Sequence, residues 1–161
     1  MESDIYISDS TYASFINVNV YNANTAYASK GPLNVRFGTI ENCNWGIAVS
    51  NEYTLYVYKT VFRSLERAMY IEGLDWANIT NCHFSQISNT AFFHEGFSST
   101  STLPAADLLF SGNFIQDVGN GMVLRRLATA DISGNQILSV IDNGLEITES
   151  GSVEIIDNEF N

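Results

Sequence analysis

The stretch Asp131–Ile147 reads "DISGNQILSVIDNGLEI". It sets Ile132, Ile137, Val140, Leu145 and Ile147 among the turn-formers Gly134, Asn135, Asp142, Asn143 and Gly144. Nothing in it has the i, i+3, i+4, i+7 spacing of an amphipathic helix, and each apolar piece is only one strand long. At Phe110–Leu124 the chain reads "FSGNFIQDVGNGMVL", the same order of apolar pieces and turns 22 residues earlier.

A repeat of this length decides the architecture. With Ile132 as the start of a unit, equivalent starts are Phe15, Val35, Val57, Ile79, Phe110, Ile132 and Ile155, spaced 20, 22, 22, 31, 22 and 23 residues apart. A single insertion accounts for the long interval. Five residues after each start comes Val20, Ile40, Phe62, Phe84, Ile115, Ile137 or Phe160. Eight residues after comes Ala23, Cys43, Leu65, Ile87, Val118 or Val140. A further apolar pair follows a small residue, as in "GIAV", "AMYI", "GMVL" and "GLEI".

Three short strands per unit, with no helix, predict an all-β, right-handed parallel β-helix. It should have about six to seven coils and three parallel sheets, and equivalent inward residues should stack at the strand spacing of about 4.8 Å. A leucine-rich repeat has a similar period but requires a Leu-x-x-Leu-x-Leu frame that is missing here. Asn113, Asn135 and Asn158 each fall three residues after a start, with Thr60 and Cys82 at the same place in other coils. Stacked Asn side chains at a corner can bond to neighbouring backbone, and Asn tolerates the left-handed conformation of such turns.

At 161 residues the chain is read as one domain, 1–161, long enough to bury a core. Its net charge of −11 disfavours nucleic acid, which needs clustered Lys and Arg. The same charge repels an acidic polysaccharide unless a local basic patch intervenes. No apolar run is long enough to span a membrane. Two cysteines, Cys43 and Cys82, do not imply a disulfide framework. The last coil stops at "IIDNEFN", six residues after Ile155, with no capping helix in view, so a piece of a longer chain is expected.

The segments "ITNCHFSQIS", "FSGNFIQDVGNGMVL", "ISGNQILSVIDNGLEI" and "IIDNEF" resemble the pectin-lyase-like superfamily of parallel β-helix repeats. The resemblance covers nearly the whole chain from Phe15 and speaks to fold more than to function. It implies a module that engages polysaccharide, as in polysaccharide lyases, glycoside hydrolases and phage tailspikes. Such modules are extracellular or virion-associated. Some members are only structural, which makes a fibre segment or homotrimer the alternative.

Fifteen residues after the coil starts lie Ser50, Glu72, His94 and Arg125, with Thr148 in a longer coil. If these point outward, Glu72, His94 and Arg125 form a row on one sheet, an acid, a base and a cation suited to acid–base work on a sugar. A slip of one residue would replace His94 by Phe93 or Glu95. Glu95 and Arg126 flank the row. The insertion, residues 95–104, overhangs the same face and carries Phe97. Tyr70 should face outward, and Trp76 shares a turn with Asp75 near Glu72, which offers a carboxylate pair beside a stacking ring. No cofactor is indicated. A calcium site built from Asp and Asn stays open, although no Asp-x-Asp-x-Asp loop supports it, and zinc has only two distant histidines.

Overall fold

The computed structural model describes residues 5–9, 11–50, 53–96 and 106–161. Every regular element among them is a strand, and every strand pairing is parallel. The chain winds as a solenoid of about seven coils. Among the described residues no helix is long and apolar enough to cross a membrane.

Each coil lays down three pieces of strand, so three ladders run the length of the solenoid. The first ladder is a seven-stranded sheet of Ala13–Ile16, Leu33–Arg36, Thr54–Tyr58, Trp76–Thr80, Asp107–Ser111, Thr129–Ser133 and Ser152–Ile156. All seven coil starts align in it: Phe15 opposes Val35, then Val57, Ile79, Phe110, Ile132 and Ile155 in turn. The second ladder aligns Val20, Ile40, Phe62, Phe84, Ile115, Ile137 and Phe160. The third comprises Ile5–Ile7, Thr25–Ser29, Trp45–Ser50, the C-terminal halves of three long strands, and Leu145–Thr148.

Those long strands, Val61–Glu72, His83–Glu95 and Phe114–Arg125, correct the expectation of three separate sheets. Each carries second-ladder and third-ladder pairings without a break. The two ladders therefore belong to one eleven-stranded sheet, and the described residues form two sheets. The bend within each long strand comes at a left-handed residue, Ser64, Gln86 or Asp117, and Asn22, Asn42 and Ser139 hold the same place in other coils.

The first corner has its own left-handed column: Asn17, Phe37, Lys59, Asn81, Gly112, Gly134 and Asp157. The ladder asparagines come one residue later and are not themselves left-handed. Their work is hydrogen bonding. Asn113 Nδ2 donates to Asn135 Oδ1 at 3.1 Å, and Asn135 Nδ2 donates to Asn158 Oδ1 at 2.8 Å. The same oxygens accept the backbone N–H groups of Asn113 and Asn135 at 2.8 and 2.9 Å. At the front of the row, Cys82 N donates to Asn113 Oδ1 at 2.8 Å. A buried corner thus leaves no backbone donor orphaned.

Inside, identical positions stack as the repeat requires. Phe62 and Phe84 lie parallel at 4.8 Å between ring centroids, and Phe110 meets both Phe84 and Phe92. All four are fully buried. Burial on this scale contributes on the order of 25 cal/mol per Å² of apolar surface removed from water.

Candidate functional site

The third ladder positions the candidate site. Its outer face carries three columns, the first and second separated by two inward residues and the second and third by one. One column runs Thr25, Trp45, Arg67, Thr90 and Asn120. The next runs Ala28, Ala48, Tyr70, Phe93, Val123 and Glu146. The third runs Ser50, Glu72, Glu95, Arg125 and Thr148.

Glu72 and Arg125 therefore share an outward column, but the residue between them is Glu95. His94 opposes Ile71 and Leu124 and points inward, fully buried. The cause is one extra residue at the bend. Two residues, Ser88 and Asn89, separate Ile87 from Thr90, where the preceding coil has Glu66 alone between Leu65 and Arg67. Counting fifteen from Ile79 therefore falls one short. Neither ring nitrogen of His94 has a hydrogen-bond partner, and burial pushes its pKa down to about 3. The imidazole stays neutral and sealed from any ligand on the outer face.

Tyr70 does face outward. It stacks on Phe93 with centroids 4.8 Å apart and planes 4° from parallel, and Trp45 meets it edge-on at 5.4 Å. Burial raises the Tyr70 pKa, and the nearby charges of Glu72 and Glu95 raise it further. Glu95 is ion-paired with Arg126, which sits in the left-handed region at φ 54° on the third corner. Arg125 pairs with Glu146 at 3.3 Å and lies 5.7 Å above the Phe93 ring. The guanidinium of Arg67 lies 4.9 Å above the Trp45 ring. It has no carboxylate partner within ion-pair distance among the described residues.

Asp75 and Trp76 are carried past the third corner onto the first ladder, where Trp76 packs edge-on against Tyr56 at 4.8 Å. They share a turn with Glu72, as the sequence implied, but Trp76 belongs to another sheet. Phe97, with residues 97–104 of the insertion, lies outside the described residues.

Two depressions flank the ring stack. The first, about 290 Å³, has Ala28 and Ala48 beneath it, with Tyr6, Trp45, Tyr70 and Lys30 around it. The second, about 240 Å³, is lined by Arg67, Phe93, Asn120, Arg125 and Glu146, among others. Small side chains bracket the stack along its column, Ala48 before Tyr70 and Val123 after Phe93, so no third ring covers either end. Counting had not brought Trp45, Arg67, Phe93 and Glu146 together. The available signal was the "W" of "NWGIAV", the "R" of "LERAMY" and the second "F" of "AFFHE", read as neighbours across coils.

These features define a parallel β-solenoid with an aromatic and charged outer face on one ladder. A family model described as periplasmic copper-binding protein (NosD) matches residues 3–161, and the chain belongs to that family. No curated protein and no solved structure matches it. The match agrees with the β-helix; nothing narrower about polysaccharide-cleaving relatives follows from it.

Copper, named in that description, needs several N or S donors converging on one point. The chain has two histidines, two cysteines and three methionines; Cys82 and His83 are adjacent in sequence but face inward and outward, and Met69 and Met122 are buried in the core. His94 is in the core beside aliphatic neighbours. His83 is on the outer face of the second ladder, edge-on to Phe114 at 5.0 Å. Cys43 and Cys82 are buried thiols at different corners, neither in a disulfide, and burial pushes the Cys82 thiol up to about 12. Among the described residues no three His, Cys, Asp or Glu side chains group to hold a metal. Among the described residues the histidines and cysteines do not converge on a copper centre.

Proposed function

We propose that the outer face of the third ladder binds a polysaccharide lying along the solenoid. The observation that carries this reading is the Tyr70–Phe93 stack with Trp45 at its edge and a sugar-sized depression on either side. Flat rings offer apolar surface to the C–H faces of sugars, and the polar and charged groups around them orient hydroxyls. Alanines at the floor of the first depression leave part of the Tyr70 ring open to a ligand. The family description, periplasmic, fits a module working outside the cytoplasm on such polymers.

Cleavage is the finer part of the proposal. Glu72 and Glu95 are neighbours on consecutive coils beside the same path, with Arg125 next in the column. Two carboxylates in that relation are the groups to act as acid and base on a glycosidic bond.

Calorimetric titration with a panel of neutral and acidic oligosaccharides tests binding. Tyr70→Ala should weaken any complex by about tenfold or more, equivalent to about 1.4 kcal/mol. An unaltered affinity in both Tyr70→Ala and Trp45→Ala sinks the reading. Assays for new reducing ends and for 235 nm absorbance test cleavage, which Glu72→Gln should abolish.

A further inference from the structure

The depressions beside Tyr70 and Phe93 reverse the charge of the molecule around them. The whole chain has 18 Asp and Glu against 7 Lys and Arg. Yet among the described residues that line the two depressions, Lys30, Arg67 and Arg125 are basic and Glu146 alone is acidic. Glu72 and Glu95 stand at the edge of the same path, Glu95 paired with Arg126, so four cations meet three carboxylates there and the path is slightly positive on a strongly negative protein.

The cations are not all spoken for. Arg67 is held in place by the Trp45 ring rather than by a carboxylate. Arg125 is tied to Glu146 by an exposed pair at 3.3 Å, a contact worth under about 1 kcal/mol and readily exchanged for a ligand anion. Asn89, Thr90 and Asn120 line the same depression and offer neutral hydrogen-bonding groups. A guanidinium fork with no carboxylate partner among the described residues, beside aromatic surface, is matched to a carboxylate or sulfate carried on a sugar ring.

We infer that the ligand is an acidic glycan, its anionic group held in the second depression by Arg67 and Arg125 and an uncharged sugar face resting on Tyr70 over Ala48. This inference rests on the proposed polysaccharide-binding function. It also locates the basic patch without which a net charge of −11 would repel such a polymer.

The test uses three probes on the whole chain: an oligogalacturonide, the same oligomer with its carboxylates reduced to alcohols, and a chondroitin sulfate oligosaccharide. The expected result is that at least one acidic probe binds about tenfold or more tighter than the neutral one, and that its affinity falls as salt rises. Arg67→Gln should remove most of that preference, and Arg67→Lys should restore part of it. The two acidic probes distinguish carboxylate from sulfate. Equal binding of all three, or an Arg67→Gln variant that keeps the full preference, overturns the acidic ligand while leaving the polysaccharide reading intact. Binding of none of them overturns both. Circular dichroism melting of each variant establishes that the surface substitutions leave the fold in place.

Discussion

Asn135 joins two coils through one side chain. Its Oδ1 accepts from the backbone and side-chain nitrogens of Asn113, and its Nδ2 donates to Phe110 O and Asn158 Oδ1. Truncation strands a buried backbone N–H and a buried carbonyl at once. Asn135→Ala should therefore cost roughly 2–4 kcal/mol, read as a lower urea midpoint at unchanged slope. His94 is the opposite case, a polar side chain in the apolar column Val49, Ile71, His94, Leu124. Its folded pKa is depressed to about 3 from an ordinary 6.5. The unfolded chain takes up a proton below about pH 6.5 and the folded chain does so only near pH 3. Stability from this group is thus complete above about pH 6.5 and is lost as pH falls through that window, by roughly 1.4 kcal/mol per unit. His94→Leu should be at least as stable at pH 7, and its advantage over the parent should grow by about 2 kcal/mol between pH 7 and pH 5. Paired urea titrations at the two pH values measure it, and an advantage that does not grow contradicts a sealed imidazole.

At the level of the strand and its bend, sequence and structure part company at one place. The coil starts were legible because an inward residue must be apolar at the same point of every turn, and all seven fall in one ladder. The sides of the third ladder were less so, because Ser88–Asn89 and Glu66 are equally polar and nothing in either marks a bend of two residues from a bend of one. A histidine after two phenylalanines then looks outward by type while lying inward by register. The merging of two ladders into one sheet was also hidden, since it depends on hydrogen bonds continuing through a left-handed residue. The next coil accommodates the extra residue with a glycine: a Cβ on Gly119 would lie 2.4 Å from the Asn89 carbonyl oxygen. If the surplus residue is a bulge and the ladder sets the register, deleting Asn89 should be tolerated at a cost under about 1 kcal/mol. Deleting Phe93 instead would turn His94 outward and Glu95 into the core, and should abolish the cooperative melt. Equal outcomes for the two deletions would mean that the bend, not the ladder, fixes the strand.

Across the whole molecule, stacking brings like charges together as surely as it brings like side chains together. Asp131 and Glu154 are opposed on adjacent rungs of the first ladder. The ion pairs Arg63–Glu41, Arg125–Glu146 and Arg126–Glu95 engage only a few of the carboxylates. The net charge of −11 thus works against the compact state, while the few cations beside Tyr70 and Phe93 work for a ligand. Of that face the outward Tyr70 was visible in the sequence; its charge was not, because composition averages over faces that the solenoid separates. Salt should consequently move two properties in opposite directions. Raising NaCl from about 0.02 M to about 0.3 M shortens the screening length from roughly 20 Å to roughly 6 Å and relieves repulsion between rungs. The melting temperature should rise by about 2–5 °C, as expected for a gain of about 1 kcal/mol in a domain of this size. Over the same range, affinity for an acidic oligosaccharide should fall. A melting temperature that drops with salt would mean that the exposed ion pairs outweigh the repulsion, and that the charge is arranged as pairs over the whole surface rather than concentrated by face.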